Sequence, residues 1–530
     1  MEGFSSHDEL VLLGLLAAIT TLLALAPILR VPYPILLVLG GLGLAAVPGV
    51  PTVELPPDLV LVVVLPPLLY SAAFFASLRD LRANVRPISL LSVGLVVATT
   101  LAVAVVAHAA IDGLPWAAAF VLGALVSPTD PVAATAILGR TGTPRRVVTV
   151  LEGESMINDA TALVAYRFAV AAVLTGSFSI WEAGLDFLVG AVGGIAVGLA
   201  VGAVVAYIRR RIADPTTQLT ISLLTAYFAY LPAEALELSA VLAAVTVGVY
   251  MGWQAPTILT PQTRLQGFGV WDILVFLLNS LVFALVGLQL PVVLDGLSGE
   301  PVGGVLLDAA IVTAAVIAVR FAWVYPATYG ARWLSRRVRE RDPSPPRANT
   351  LLVAFTGMRG AVTVAAALAL PLSTDAGGPF PQRDRIIFVA FSVVLVTLVV
   401  QGLGLPLLVK ALRLDEGGGF DEESKARIHA ARAALEHLDQ VGSESWVRDD
   451  TAERLRGLYQ YRQRRFSARF DDGDDGEIEG RSQDFQRLRR ELLEAERSEI
   501  LRLRDEGHIN EDVKRRLERD LDLDDVRLDA

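Results

Sequence analysis

Residues 115–138 read PWAAAFVLGALVSPTDPVAATAIL. A run of that length with a single charge is long enough to cross the ~30 Å hydrocarbon core of a bilayer as a helix, yet Pro128 and Pro131 bracket Thr129 and Asp130 at its middle. A proline inside a helix removes a backbone donor and clashes with the carbonyl four residues back. Two prolines three residues apart therefore predict an unwound stretch within the membrane. Open backbone survives at that depth only where protein buries it or a cavity faces it, and freed carbonyls with half-helix dipoles are the usual ion-binding device of secondary transporters. A capped proline kink is the plainer reading, but a kink needs neither the second proline nor the charge.

Working outward, the whole chain has the composition of a polytopic membrane protein: 53% hydrophobic residues and a mean hydropathy of +0.52. Thirteen apolar runs stand out, near 9–29, 33–50, 57–75, 87–111, 115–138, 147–174, 185–208, 216–235, 238–254, 270–290, 303–329, 350–371 and 386–409. They predict an all-α bundle of about 13 transmembrane helices. The acidic N-terminus and full-length first run predict a retained first span rather than a cleaved signal. With no cysteine, disulfides and thiolate metal sites are excluded.

Arginine placement orients the bundle. Loops after odd-numbered spans carry Arg30, Arg79, Arg82, Arg86, Arg140, Arg145, Arg146, Arg209, Arg210, Arg211, Arg264, Arg332, Arg336, Arg337, Arg339, Arg341, Arg347, Lys410 and Arg413, whereas the loops after even-numbered spans hold only Arg383 and Arg385. The positive-inside rule then predicts an outside N-terminus and a cytoplasmic C-terminus. Up to Arg413 there are 24 basic and 24 acidic residues, while residues 414–530 hold 22 and 32, so the net charge of −10 lies in the tail. This divides the chain into a membrane domain, 1–412, and a cytoplasmic tail, 413–530. Helical spacing of Leu, Ile and Phe in Phe485–Leu503 and Val513–Leu521 predicts soluble amphipathic helices in the tail. The acidic run Asp471–Gly476 lacks the ligand spacing of an EF-hand and reads as a solvated break.

Polar groups inside the apolar runs identify the working site. Span 12 has a second break at Thr356, Gly357, Met358, Arg359 and Gly360. If six spans, one linker span and six more make up the fold, spans 5 and 12 occupy matching positions in two inverted six-helix repeats, the best sequence pointer to a transporter site. Span 7, the linker, carries Gly190, Gly194, Gly198 and Gly202 as a close-packing face. Span 6 contains EGES followed by MINDA, with Glu154, Ser155, Asn158 and Asp159 on one broad face. Entry near Val147 places Asp159 ~18 Å along the helix axis, close to mid-bilayer. An ionised carboxylate there is expensive unless paired or hydrated. One carboxylate that must hold either a proton or a cation is a complete exchange mechanism. Glu154 needs a permanent counter-charge, for which Arg320, Arg359 and Arg167 are the internal choices, Arg167 being better suited to snorkel outward. His108, Asn279 and Gln289 read as structural groups.

SPTDPVAATAIL, EGESMINDATALVAY, LVFLLNSLVFALVGLQL and FTGMRGAVTVAAALALP occur in the order and spacing of the monovalent cation/proton antiporter-1 family, the bacterial Na+/H+ antiporters related to eukaryotic Na+/H+ exchangers, and over residues ~10 to 412 the chain closely resembles that family. The resemblance implies a homodimer of dimerisation and mobile core parts, working by elevator-type alternating access in the cell membrane. It implies that Asp159 and Asn158 are the ion-binding pair, with Asp130 and Thr129 of the unwound helix and Ser155 as further Na+ ligands. It implies that Glu154 pairs with Arg320 and that Arg359 compensates charge at the second broken helix. In LPPLLYSAAF of span 3, Ser71 stands where relatives often have an acid. The Asn–Asp pair implies electroneutral exchange of Na+ or Li+ for H+, in sodium transport and pH homeostasis, with no cofactor and no nucleic-acid partner. K+/H+ exchange is the alternative within the class. From another class, an intramembrane aspartyl hydrolase would use Asp130 and Asp159 as an acid–base dyad. A channel would need an open polar file, whereas two broken helices and one titrating ligand favour a carrier, which is not an enzyme.

Overall fold

The computed structural model describes residues 6–29, 31–48, 55–139, 143–176, 180–297, 301–334, 336, 340, 344–412, 419–442, 444–467 and 477–529. The acidic run Asp471–Gly476 lies outside the described residues. The chain forms two compact units, Met1–Asp415 and Glu416–Ala530.

In the first unit the described residues are helical apart from loops and a β-bridge between Ser373 and Pro379. Span 1 is Ser6–Leu29 and span 2 Tyr33–Ala45. Span 3 is Leu59–Phe75, and span 4 is Val85–Ala110. Span 5 is broken into Trp116–Val126 and Val132–Leu138. Spans 6 to 9 are Arg145–Thr175, Ile180–Arg209, Pro215–Ala235 and Ala240–Ile258. Span 10 is Pro261–Asp295 and span 11 Val302–Leu334. Span 12 is broken into Arg347–Phe355 and Ala361–Leu368, and span 13 is Arg383–Leu412. Seven of these are single helices long and apolar enough to cross a membrane, and the first three and the first half of span 5 are shorter apolar helices.

Local chemistry sets the ends. Asp214, Ser239 and Thr260 each cap the helix that follows by accepting a backbone N–H, from Thr217, Leu242 and Thr263, the usual role of Ser, Thr and Asp at that position. Pro215 and Pro261 then occupy first-turn positions where no N–H is needed. The Thr217 N–H holds the Asp214 carboxyl below the usual carboxylate range. Span 6 ends at Gly176, whose φ of 71° is left-handed and suits glycine.

Two apolar cores organise the bundle. One joins side chains of spans 2, 4, 5, 10, 11, 12 and 13, including Ile35, Val103, Leu122, Phe283, Val316, Val364 and Phe391. The other joins spans 3, 7, 8, 9 and the first part of span 10, including Leu69, Ala206, Ala229, Val247 and Trp271. Span 6 contributes to both: Val147, Leu151 and Ala169 to the first, Met156 and Ala160 to the second. Its polar residues therefore lie at the seam between the cores. The glycine face of span 7 meets span 9, where a side chain at Gly198 would strike Thr246 and the backbone of Ala243.

The second unit contains helices Gly419–Val441, Asp449–Ser467, Glu477–Asp505 and Glu511–Asp529. The last two pair around the buried Leu493, with Arg497 bridging Asp522 at 2.9 Å and Asp525 at 3.0 Å.

Candidate functional site

The two breaks meet. Span 5 stops as a helix at Val126, and Asp130 starts its second half by accepting the Val132 N–H at 2.8 Å. The Asp130 backbone N–H is donated across to the Met358 carbonyl of the span 12 break at 2.8 Å. Asp130 thus holds the first turn of the second half of span 5 and ties it to the span 12 break. Glycine permits the approach, because a side chain at Gly360 would overlap the Asp130 carboxylate and one at Gly357 would overlap the Arg320 stem. Arg359 is fully buried and donates from Nε to the Val126 carbonyl at 2.9 Å and from Nη1 to the Gly357 carbonyl. It therefore covers carbonyls that both broken helices leave open, where the dipoles favour a cation. Its backbone N–H is donated to Thr397 Oγ1 of span 13 at 3.1 Å.

Span 6 crosses beside this point. Glu154, 1% exposed, receives Arg320 of span 11 in a two-pronged pair, Nη1 to Oε1 at 2.6 Å and Nη2 to Oε2 at 3.0 Å. Arg320 Nε and Nη2 also donate to the Val353 carbonyl. The Thr129 hydroxyl donates to Glu154 Oε1 at 2.8 Å, and Asn158 Nδ2 donates to the Thr129 hydroxyl and carbonyl at 3.0 and 3.1 Å. One side of span 6 is in this way bonded to the span 5 break and to span 11. Among the described residues no group partners the buried Asn158 Oδ1, an acceptor whose desolvation they leave uncompensated.

Asp159 is different. It is half-buried, and among the described residues no protein group bonds to its carboxylate. It opens on a small cavity lined by Pro128 of the span 5 break, Leu163 and Tyr166 of its own helix, and Val362, Thr363 and Ala366 of span 12. The Tyr166 hydroxyl donates to the Ala366 carbonyl at 2.9 Å. Ser155, one turn below Asp159, is also half-buried. The structure thus brings Thr129, Asp130, Glu154, Asn158, Asp159, Arg320 and Arg359 to one crossing of four spans. Carboxylate and amide oxygens with no protein partner suit a hard monovalent cation, which takes oxygen ligands.

Other groups lie elsewhere. Arg167 is exposed and sits 4.0 Å from Glu234 of span 8. Ser71 is buried and turns its hydroxyl to the Leu68 carbonyl of its own helix at 2.9 Å. His108 stacks on Trp116 and bonds the Leu114 carbonyl, and Gln289 accepts the Leu55 N–H at 3.1 Å. Sequence reasoning passed over Thr397 and Tyr166, which differ in no local pattern from the other hydroxyl-bearing residues of spans 13 and 6. It could not identify the Val353 and Met358 carbonyls, because backbone acceptors have no sequence signature.

Comparison with known proteins agrees with this architecture. A sodium/hydrogen exchanger transmembrane family model matches residues 14–411. The chain is 37% identical to an uncharacterised Na+/H+ exchanger of Mycobacterium tuberculosis, over 98% of this chain and 96% of that one. It is 34% identical to a sodium, potassium, lithium and rubidium/H+ antiporter of Bacillus pumilus, over 86% of this chain and 68% of that one. The fold matches the sodium proton antiporter MjNhaP1 of Methanocaldococcus jannaschii with a TM-score of 0.63 at 20% identity, covering 77% of this chain and 98% of that one. The chain belongs to the sodium/hydrogen exchanger family.

Proposed function

We propose that the protein exchanges Na+ or Li+ for H+ across the cell membrane by electroneutral alternating access, with Asp159 as the group that holds either ion. The observation that carries this is the Asp159 carboxylate, without a protein partner among the described residues, facing a small cavity at the crossing of two broken helices, next in sequence to Asn158, whose Oδ1 is buried without a partner among those residues. Asp130, Ser155 and the remaining lone pair of Thr129 complete the cation's oxygen set. Charge counting supports a one-for-one stoichiometry. Glu154 with Arg320, and Asp130 with Arg359, balance in pairs, so a proton or a monovalent cation on Asp159 leaves the loaded carrier with the same net charge. Membrane voltage then does no net work on the cycle.

The seam position of span 6 supports a mobile part that moves against a second, dimer-forming part. The excess of basic loops on one side supports an outside N-terminus and a cytoplasmic C-terminus. The acidic tail, which holds none of the site residues, is assigned to regulation. A second reading, K+/H+ exchange, is favoured by the broad cation range named for the Bacillus pumilus relative. The test is a pH-gradient assay in proteoliposomes with Na+, Li+ and K+ added in turn. Proton movement with Na+ and Li+ but not K+ is expected; a response to K+ alone would establish the second reading, and no response to any would overturn both.

A further inference from the structure

The cavity on which Asp159 opens has a hydroxyl in its wall that the exchange mechanism leaves unused. Among the described residues lining it, Asp159, Tyr166 and Thr363 carry the side-chain oxygens, and the rest of the wall is apolar, from Ala124 and Leu125 to Val362 and Ala366. Thr363 is 2% exposed. It stands on the second half of span 12, on a face shared with Val362 and Ala366, while Asp159, Leu163 and Tyr166 share a face of span 6. The Tyr166 hydroxyl is committed as a donor to the Ala366 carbonyl. The Thr363 hydroxyl bonds to no group among the described residues.

Other threonines of the bundle are satisfied locally. Thr100, Thr161, Thr225, Thr313, Thr356 and Thr397 each donate to the carbonyl four residues back, the bond by which a helix absorbs a hydroxyl. The break in span 12 takes that acceptor away from Thr363: the residues three and four positions back are Gly360 and Arg359, and Gly360 is extended, with φ −113° and ψ −170°. From this we infer that Thr363 is a further ligand of the transported cation, an inference that rests on the exchange reading of Asp159. A hydroxyl left bare in an apolar wall is costly, and a hard monovalent cation held by Asp159 satisfies it while gaining a neutral oxygen beyond those assigned above. Because the hydroxyl is uncharged, the one-for-one charge balance is unaffected. The cation then joins span 6 to the second half of span 12, whereas a proton on Asp159 draws nothing from Thr363. Thr363 therefore sets how well the cation competes with the proton.

The test uses the full chain in proteoliposomes, with proton movement followed through titrations of Na+, Li+ and K+ for the wild type, Thr363→Val, Thr363→Ala and Thr363→Ser. For the cation that the wild type exchanges, Thr363→Val, which keeps the shape and removes the oxygen, should raise KM about tenfold. The maximal rate at saturating cation should stay within about twofold of the wild type, and the unfolding temperature should not fall. Thr363→Ser, which keeps the oxygen, should hold the wild-type KM. Thr363→Ala removes the same oxygen and decides if Thr363→Val does not fold. An unchanged KM in the variant lacking the oxygen, a lost maximal rate at unchanged KM, or a KM for Thr363→Ser as high as for Thr363→Val would overturn the inference while leaving the exchange reading intact. A wild type that moves no protons with any of the three cations would overturn the exchange reading, and this inference with it.

Discussion

Replacing Arg320 by alanine strands Glu154. In the wild type the two side chains are 1% and 2% exposed and joined by hydrogen bonds of 2.6 and 3.0 Å. Deletion of one partner leaves a buried carboxylate without its counter-charge, and it removes both donors to the Val353 carbonyl. Breaking a buried pair in this way costs roughly 3–5 kcal/mol. The surviving Thr129 hydroxyl, 2.8 Å from Glu154, offsets part of that and places the expected loss toward the lower figure. Thermal unfolding of the detergent-purified chain, followed by size exclusion after heating, should show a clearly lower midpoint for Arg320→Ala. The double replacement Glu154→Leu with Arg320→Met should recover part of the loss, because no charge then remains buried. It should not recover all of it, since Thr129 keeps a donor without its acceptor, worth ~1–3 kcal/mol. Equal midpoints for wild type and Arg320→Ala would refute the reasoning and mean that Glu154 is held by another group.

Gly360→Ala should retain insertion but lose most exchange activity in everted vesicles, because the new methyl group overlaps the Asp130 carboxylate and forces the crossing apart; wild-type rates would show that the breaks need not approach so closely. Exchange in liposomes should be insensitive to an imposed potassium–valinomycin voltage, and a clear voltage dependence would contradict the one-for-one stoichiometry. Truncation after Arg413 should leave a chain that still exchanges cation for proton, with a changed pH profile. A stable truncate inactive at every pH tried would make the tail part of the transport machinery.

Much of this was legible in the sequence, for identifiable reasons. Helix-length apolar runs and paired prolines act locally, so the thirteen segments and the unwinding between Val126 and Val132 follow from the chain itself. The glycines around Met358 marked the second break in the same way. What the sequence left open was long-range choice. Three arginines could have paired with Glu154, and only the packing of span 11 against span 12 brings Arg320 to it while Arg359 turns to the Val126 carbonyl. The four polar residues of span 6 appeared as one face. Folding divides them into a buried pair, Glu154 and Asn158, bonded into the crossing, and a half-buried pair, Ser155 and Asp159. Nor could the sequence show that Asp130 caps a helix and bridges the two breaks at once, because the Met358 carbonyl it meets is a backbone group.

The central claim is that Asp159 alternates between proton and cation, and its most direct test is Na+-driven proton movement by purified Asp159→Asn in proteoliposomes. An amide keeps the size and most of the packing but cannot alternate between proton and cation, so the variant should elute and unfold like the wild type while exchange falls to the level of empty liposomes. Measurable Na+-dependent exchange by a correctly folded Asp159→Asn protein would contradict the account.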